Sequence, residues 1–557
     1  METYRSALLF LLVAISVVLY SKWLDFSAEH SQPQTQQDVV VSEVPEYQPP
    51  TDTSVPSNDQ TQSVPSLSEE VAPPKQSNTN NAPLIRVETD LVIATINTAG
   101  GVIERIEMKN HPVQIDQPDI GYPVLRKNTE ETFVVQDGLL VPGNKPAPNH
   151  LARYEHEANN YDLGNADTVS VPLKWVNEQG QSITKIISFK RDSYLVNIDY
   201  VVENQSDAPW TGYLYAQFNR TEPTKKSGGF GQLPSYTGGA IYTEEEKYEK
   251  VDFGDMDSAN LSRKEKGGWV SMMEHYFVTV LLPTTENNTF FSRKAGANYL
   301  LGIQSNDPLV IAAGEQGTLG TSVFLGPKEQ SRLRAIKDEK GVTGLPLTVD
   351  YGALTFIADP LFWLLEKIHG VVKNWGWSII LLTLLIKIVF YPLSAASYKS
   401  MAGMKKLQPR IQTLKERYKD DRQKFQMEMM ELYKKEKINP AGGCLPILIQ
   451  IPVFIALYWV LLESVEIRQA PFALWLTDLS APDPFYVLPI LMGASMWAQQ
   501  KLNPAPMDDI QKRVMMIMPF ALTLLFLTFP AGLVLYWVVN NVLSMAQQWF
   551  INKKHAQ

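Results

Sequence analysis

The run WGWSIILLTLLIKIVFYPL (Trp375–Leu393) carries one charge, Lys387, among apolar neighbours. A cation deep in a lipid-embedded helix costs about 2.5–3.5 kcal/mol on insertion scales, so its presence needs a physical reason. At 1.5 Å per residue it lies roughly 18 Å from Trp375 and roughly 9 Å from Leu393, in the half of the run nearer the C-terminal end. Two readings stand. The aliphatic stem can snorkel and lift the ammonium to the headgroups, or the cation faces a hydrated cavity that attracts acidic or polar parts of something entering the membrane. The second reading requires other polar side chains at similar depth. Thr383 sits four residues earlier on the same helical face. Gln450, Gln499, Asn540, Asn541 and Ser544 occur in later apolar runs, where amides and hydroxyls also serve as hydrogen bonds between helices. No Asp or Glu lies inside these runs to pair with Lys387, which argues against a proton relay or an ion-coupled transporter.

Other chemistry is poorly provided for. The single cysteine, Cys444, excludes an intrachain disulfide framework and a four-cysteine zinc site. The seven histidines show no pair at ligand spacing, so no metal is expected. There is no phosphate-cradling glycine loop ending in Gly-Lys-Ser/Thr and no Gly-x-Ser-x-Gly elbow, hence no nucleotide, no cofactor and no hydrolase nucleophile. The acidic triplet Glu244-Glu245-Glu246 reads as a solvated turn rather than an acid/base pair. The formal charge of −9 over 557 residues disfavours a nucleic-acid binder. It also conceals a partition, because residues 25–358 carry −17 and residues 359–557 carry +7.

That partition follows the elements that must position Lys387. Ser6–Trp23 is an apolar run of about one bilayer thickness without small residues at a cleavage position, and reads as an uncleaved anchor (1–24). Residues 25–83 are rich in Pro, Gln and Ser and cannot bury enough surface to order, which makes them a disordered tether. Residues 84–345 alternate with period two, as in Leu91–Ile96, Ile183–Phe189 and Tyr194–Val202, and predict a large antiparallel β-sandwich almost free of helix. A connector, 346–374, contains an amphipathic helix, Pro360–Val372, suited to the outer interface. Residues 375–557 offer five further spans: Trp375–Leu393, Cys444–Leu462, Phe485–Gln499, Val514–Phe529 and Ala531–Trp549, the last two parted by Pro530-Ala531-Gly532.

Orientation follows from lysine and arginine near the span ends. Loop 394–443 has twelve basic residues against six acidic, whereas 463–484 has Arg468 against four acidic residues. The expected topology therefore has both termini and the 394–443 loop inside and the β domain outside. Within that loop, Met404, Leu407, Ile411, Leu414 and Tyr418, then Phe425, Met429 and Leu432, predict an antiparallel helical hairpin, with Pro409 interrupting or starting its first helix. Its stripe of methionines is either core packing or an adaptable binding face. Its charge suits anionic headgroups or ribosomal RNA.

The block Asn439–Gly493 (NPAGGCLPILIQIPVFIALYWVLLESVEIRQAPFALWLTDLSAPDPFYVLPILMG), with FPAGLVLYWVVNN (Phe529–Asn541) and the YPL after Lys387, closely resembles the YidC membrane protein insertase family in its Gram-negative form. The resemblance implies a polytopic α-helical membrane protein of six transmembrane helices. Five of them would form an insertase core around a hydrophilic groove open to cytoplasm and lipid. It also implies a periplasmic β-supersandwich similar to sugar mutarotases but without their activity. The implied protein is not an enzyme. It would act in the bacterial inner membrane on nascent membrane proteins, alone or with the Sec translocon, and its hairpin and tail would meet the ribosome and the signal recognition particle system. The family's groove cation falls on Lys387, where many members have arginine, so bidentate pairing with a carboxylate is lost. Its substrate-contacting positions fall on Thr383 and Trp537, the latter often tyrosine, with Gln450, Tyr536 and Asn540 along the groove. Two other classes compete: a small-molecule transporter with an external sugar-recognition domain, and a membrane-anchored carbohydrate enzyme with its acid/base residues in the sandwich.

Overall fold

The computed structural model describes residues 82–177, 181–224, 235–418, 421–436, 438, 445–502 and 509–556. The expected anchor, nearly all of the tether, and the Asn439–Cys444 motif lie outside these residues. Strands Leu84–Glu88 to Gln316–Pro327 form two sheets, one of eleven strands and one of nine, packed as a sandwich. Antiparallel pairing dominates. Strand Ser182–Lys190 turns Ile183, Ile187 and Phe189 inward and pairs with Leu195–Glu203 in the register Val196↔Phe189, Ile198↔Ile187. A shift of one residue would turn this set to solvent, so burial holds the register.

Period-two patterning also places charges where only pairing tolerates them. Lys185 lies on the inward face of its strand, fully buried, 2.8 Å from Asp137, and it donates to the Gly101 carbonyl. Tyr200 donates to the same carboxylate at 2.6 Å. Glu274 accepts from Arg220 (2.6 Å), Arg126 (2.7 Å) and Tyr122 (2.8 Å). Each charge is offset by partners, without which burial would cost several kcal/mol per ion.

Two short helices lie in the region expected to be almost free of helix: α1 (Phe253–Ser258), opened by a capping box at Asp252, and α2 (Gln330–Lys340). Helix α2 is mostly polar, and Leu333 and Ile336 are its buried hydrophobic side chains, a three-residue spacing too sparse to register as periodicity, while Arg332 donates to Asp192. Helix α3 (Thr355–Val372) starts five residues before the predicted Pro360, which sits inside it. It buries Phe362 and Leu365 but leaves Phe356, Trp363 and Val371 exposed.

Next come α4 (Trp375–Val389), α5 (Tyr391–Arg417), α6 (Arg422–Lys435), α7 (Leu445–Glu463), α8 (Val487–Leu502), α9 (Asp509–Phe526) and α10 (Ala531–Ala556). The expected run to Leu393 instead bends by 68° at Phe390, because Pro392 begins a new helix. Among the described residues no single helix is long and apolar enough to cross a membrane, while α4 and α5 together pass that test. Pro409 neither interrupts nor starts a helix, since α5 runs through it. Helices α5 and α6 close a small core of Leu407, Ile411, Met429 and Tyr433, with Met404 and Met430 packed against it and Met427 exposed. The methionine stripe is thus mainly packing.

Candidate functional site

The bend at Phe390 leaves Lys387 in the last turn of α4, buried, and without a carboxylate partner among the described residues. Its ammonium donates to Ser544 Oγ of α10 at 2.7 Å, and Ser544 in turn donates to the Asn540 carbonyl at 2.7 Å. Gln450 of α7 donates to Asn540 Oδ1 at 2.6 Å. Asn541 donates to Ser495 of α8 at 3.0 Å. Four helices therefore meet through hydroxyls and amides at one level. Ile386, Lys387, Phe390, Leu393, Ser394, Gln450 and Val453 enclose a cavity of about 20 Å³, the scale of one water.

At the opposite end the helices pack against a loop. A Cβ on Gly376 would lie 2.1 Å from the Phe472 ring, and one on Gly532 would lie 3.1 Å from the Leu479 carbonyl, so α4 and α10 both begin hard against loop 463–484. Asn374 caps α4 and donates to the Phe472 carbonyl at 3.0 Å. Asp483 gathers Trp475 Nε1 (2.9 Å) and the backbone amides of Phe485 and Leu488. The sandwich rests on the same loop. Arg468 donates to the Pro112 carbonyl at 2.7 Å, with Tyr122, Tyr276 and Phe277 around its guanidinium at 5.7–6.0 Å. Beside it, Glu466 accepts from the Gln330 amide at 3.1 Å, and burial pushes its carboxyl up to about 7.

Residues 84–364 match the family described as the YidC periplasmic domain, and residues 367–557 match the 60Kd inner membrane protein. The chain is 44% identical to the membrane protein insertase YidC of Nitrosococcus oceani, over 100% of both chains. The chain belongs to the YidC membrane protein insertase family. The YidC of Methylococcus capsulatus is 48% identical over 84% of this chain and 85% of its own. A solved active YidC insertase with its first transmembrane domain resolved is 18% identical, with a TM-score of 0.38, over 84% of this chain and 94% of its own. A galactose mutarotase related enzyme of Lactobacillus acidophilus is 13% identical, with a TM-score of 0.30, over 43% of this chain and 97% of its own. The transporter reading finds no support among these relatives.

In this YidC family member the expected site residues do not all converge. Lys387 and Gln450 line one cavity, and Asn540 is bonded to Gln450. Thr383 shares the face of Lys387 but spends its hydroxyl on the Ile379 carbonyl at 2.6 Å. Trp537 packs edge-on against Phe454 (4.5 Å) and Phe526 (5.3 Å), while Tyr536 is buried beside Phe454, and neither lines the cavity. Among the described residues no hydrogen bond joins Gln499 to the cluster, and α8 enters it through Ser495. Ser394 and Ser495 escaped the sequence reading because a lone serine near a helix start or within an apolar run carries no distinctive signal. The weak trace was small residues at helical spacing, Ser394 and Ser397 in YPLSAAS.

Proposed function

We propose that this chain is a non-enzymatic insertase that admits nascent inner-membrane proteins through a groove centred on Lys387. The observation that carries the reading is a buried cation whose hydrogen-bond acceptor among the described residues is a hydroxyl, at a meeting point of amides and hydroxyls from several helices, with the opposite ends of α4 and α10 packed against loop 463–484. A site so arranged is a weak clasp. A carboxylate from an arriving chain replaces the neutral Ser544 acceptor with a charged one, so that a hydrogen bond from the ammonium becomes an ion pair. The polar segment then crosses a shortened hydrocarbon path while its apolar neighbour moves into lipid. Apolar transfer at about 25 cal/mol per Å² drives the step, and the membrane potential adds about 2.3 kcal/mol per charge per 100 mV.

This reading takes six transmembrane helices, both termini and the α5–α6 hairpin in the cytoplasm, and the sandwich in the periplasm, as the basic 394–443 loop and the acidic 463–484 loop require. Trp537, Tyr536 and Thr383 stand outside the cavity and enter the proposal only as residues that the moving segment meets along α4 and α10. Cooperation with the Sec translocon, and hairpin contacts with the ribosome and signal recognition particle, belong to the same proposal. Lys387→Ala tests it in cells lacking any other copy. Insertion of a substrate with an acidic outer segment falls at least tenfold and Lys387→Arg restores it, whereas wild-type insertion by the alanine variant overturns the role of the cation.

A further inference from the structure

A second, larger cavity lies at the far end of α10. It measures about 260 Å³ and is lined by Met401, Ala402, Lys405 and Lys406 of α5, Leu502 of α8, and Gln548 and Asn552 of α10. Gln548 is buried and reaches the Leu502 carbonyl at 3.4 Å. Asn552 lines the cavity, and its amide oxygen has no hydrogen-bond partner among the described residues, an acceptor that a donor brought to this site would satisfy. Among the described residues no carboxylate lines the cavity and Lys405 has no ion pair.

Flanking residues give its depth. Lys501, next to Leu502, lies 3.9 Å from the Trp497 ring, and Lys553, next to Asn552, lies 5.3 Å from the Trp549 ring. Paired tryptophan and lysine at helix ends mark the headgroup level of a bilayer. Beyond them, Val542, Trp549 and Phe550 leave an apolar surface on α10 exposed. The occupant must therefore be anionic, carry a hydrogen-bond donor and trail hydrocarbon.

We propose that this cavity binds one anionic phospholipid of the inner leaflet, phosphatidylglycerol in chemistry, with its phosphate on Lys405 and Lys406 and a glycerol hydroxyl donated to Asn552 Oδ1. Basic pockets between helices on the cytoplasmic side suit such headgroups. The inference rests on the topology proposed above but not on the groove cation. Bound lipid would join α5, α8 and α10 just below the Lys387–Ser544 contact.

The full chain is reconstituted in phosphatidylcholine nanodiscs doped with phosphatidylglycerol, and retained lipid is identified by native mass spectrometry. Wild type holds one phosphatidylglycerol in preference to phosphatidylcholine by roughly tenfold or more, the scale of two lysines at an anionic surface. Lys405→Gln with Lys406→Gln abolishes the preference, and Asn552→Ala weakens it while leaving both cations in place. Lys387→Ala keeps the lipid, so loss of insertion and loss of lipid are separable. No preference in the wild type, or a preference unchanged in the double variant, overturns the site. Displacement of the lipid by millimolar inorganic phosphate makes it a soluble-anion site instead. A photo-crosslinker at 405 that captures nascent chain rather than lipid overturns the assignment in favour of a peptide.

Discussion

The ammonium of Lys387 and the hydroxyl of Ser544 meet at 2.7 Å across 157 residues of sequence, and this contact ties the last turn of α4 to the middle of α10. Removing the hydroxyl leaves the cation in place with no acceptor. Ser544→Ala is expected to cost about 1–3 kcal/mol of stability, the penalty for a buried group left unsatisfied. Thermal unfolding in detergent measures it. An unchanged midpoint shows that water already solvates the ammonium.

Helices α8 and α9 approach closely at Gly493, where a Cβ would lie 2.1 Å from Thr523 Oγ1. Gly493→Leu therefore forces the pair apart and destabilises by about 1–3 kcal/mol. Thr523→Ala in the same chain recovers part of that loss, and a double-mutant cycle reads the coupling. Strict additivity would show that the contact at Gly493 is not the cause.

Arg468 fastens the sandwich to loop 463–484 through the Pro112 and Val113 carbonyls and three rings. Arg468→Ala should weaken that junction by about 1–3 kcal/mol, and Arg468→Lys should recover only part, because lysine lacks the planar stack. Limited proteolysis of the loop reports the change. Equal cleavage in all three proteins would remove Arg468 from the junction.

Glu466 supplies a pH dependence. Its carboxyl is raised from 4.5 to about 7 by burial, and Oε2 has no hydrogen-bond partner. A raised folded value means that its contribution to stability is fully present below about 4.5 and is lost as pH rises through about 7. Between pH 5 and 8 the wild-type unfolding midpoint accordingly gains a downward component that Glu466→Gln lacks. The variant should be the more stable of the two above pH 7. Parallel profiles would show that Glu466 is ionised throughout.

Sequence patterning was informative wherever burial is one-sided. The strands at Ile183–Phe189 and Tyr194–Val202 and the start of α10 after Pro530 were legible because period-two alternation and proline act locally. Polar helix α2, with two buried hydrophobic side chains, was not. The bend at Phe390 was also missed, since the hydropathy of the run continues smoothly across it while Pro392 reshapes the backbone.

The sequence alone singled out Lys387, the polar residues at similar depth, and the charge asymmetry that orients the chain, because each follows from what a residue type costs in its local surroundings. Which of those residues meet was decided by tertiary structure. Thr383 turned to its own helix, Trp537 to an aromatic cluster, and Ser544 and Ser394 came to the cation instead. A side chain's partner is set by helix rotation and packing across more than a hundred residues, and no local pattern encodes that.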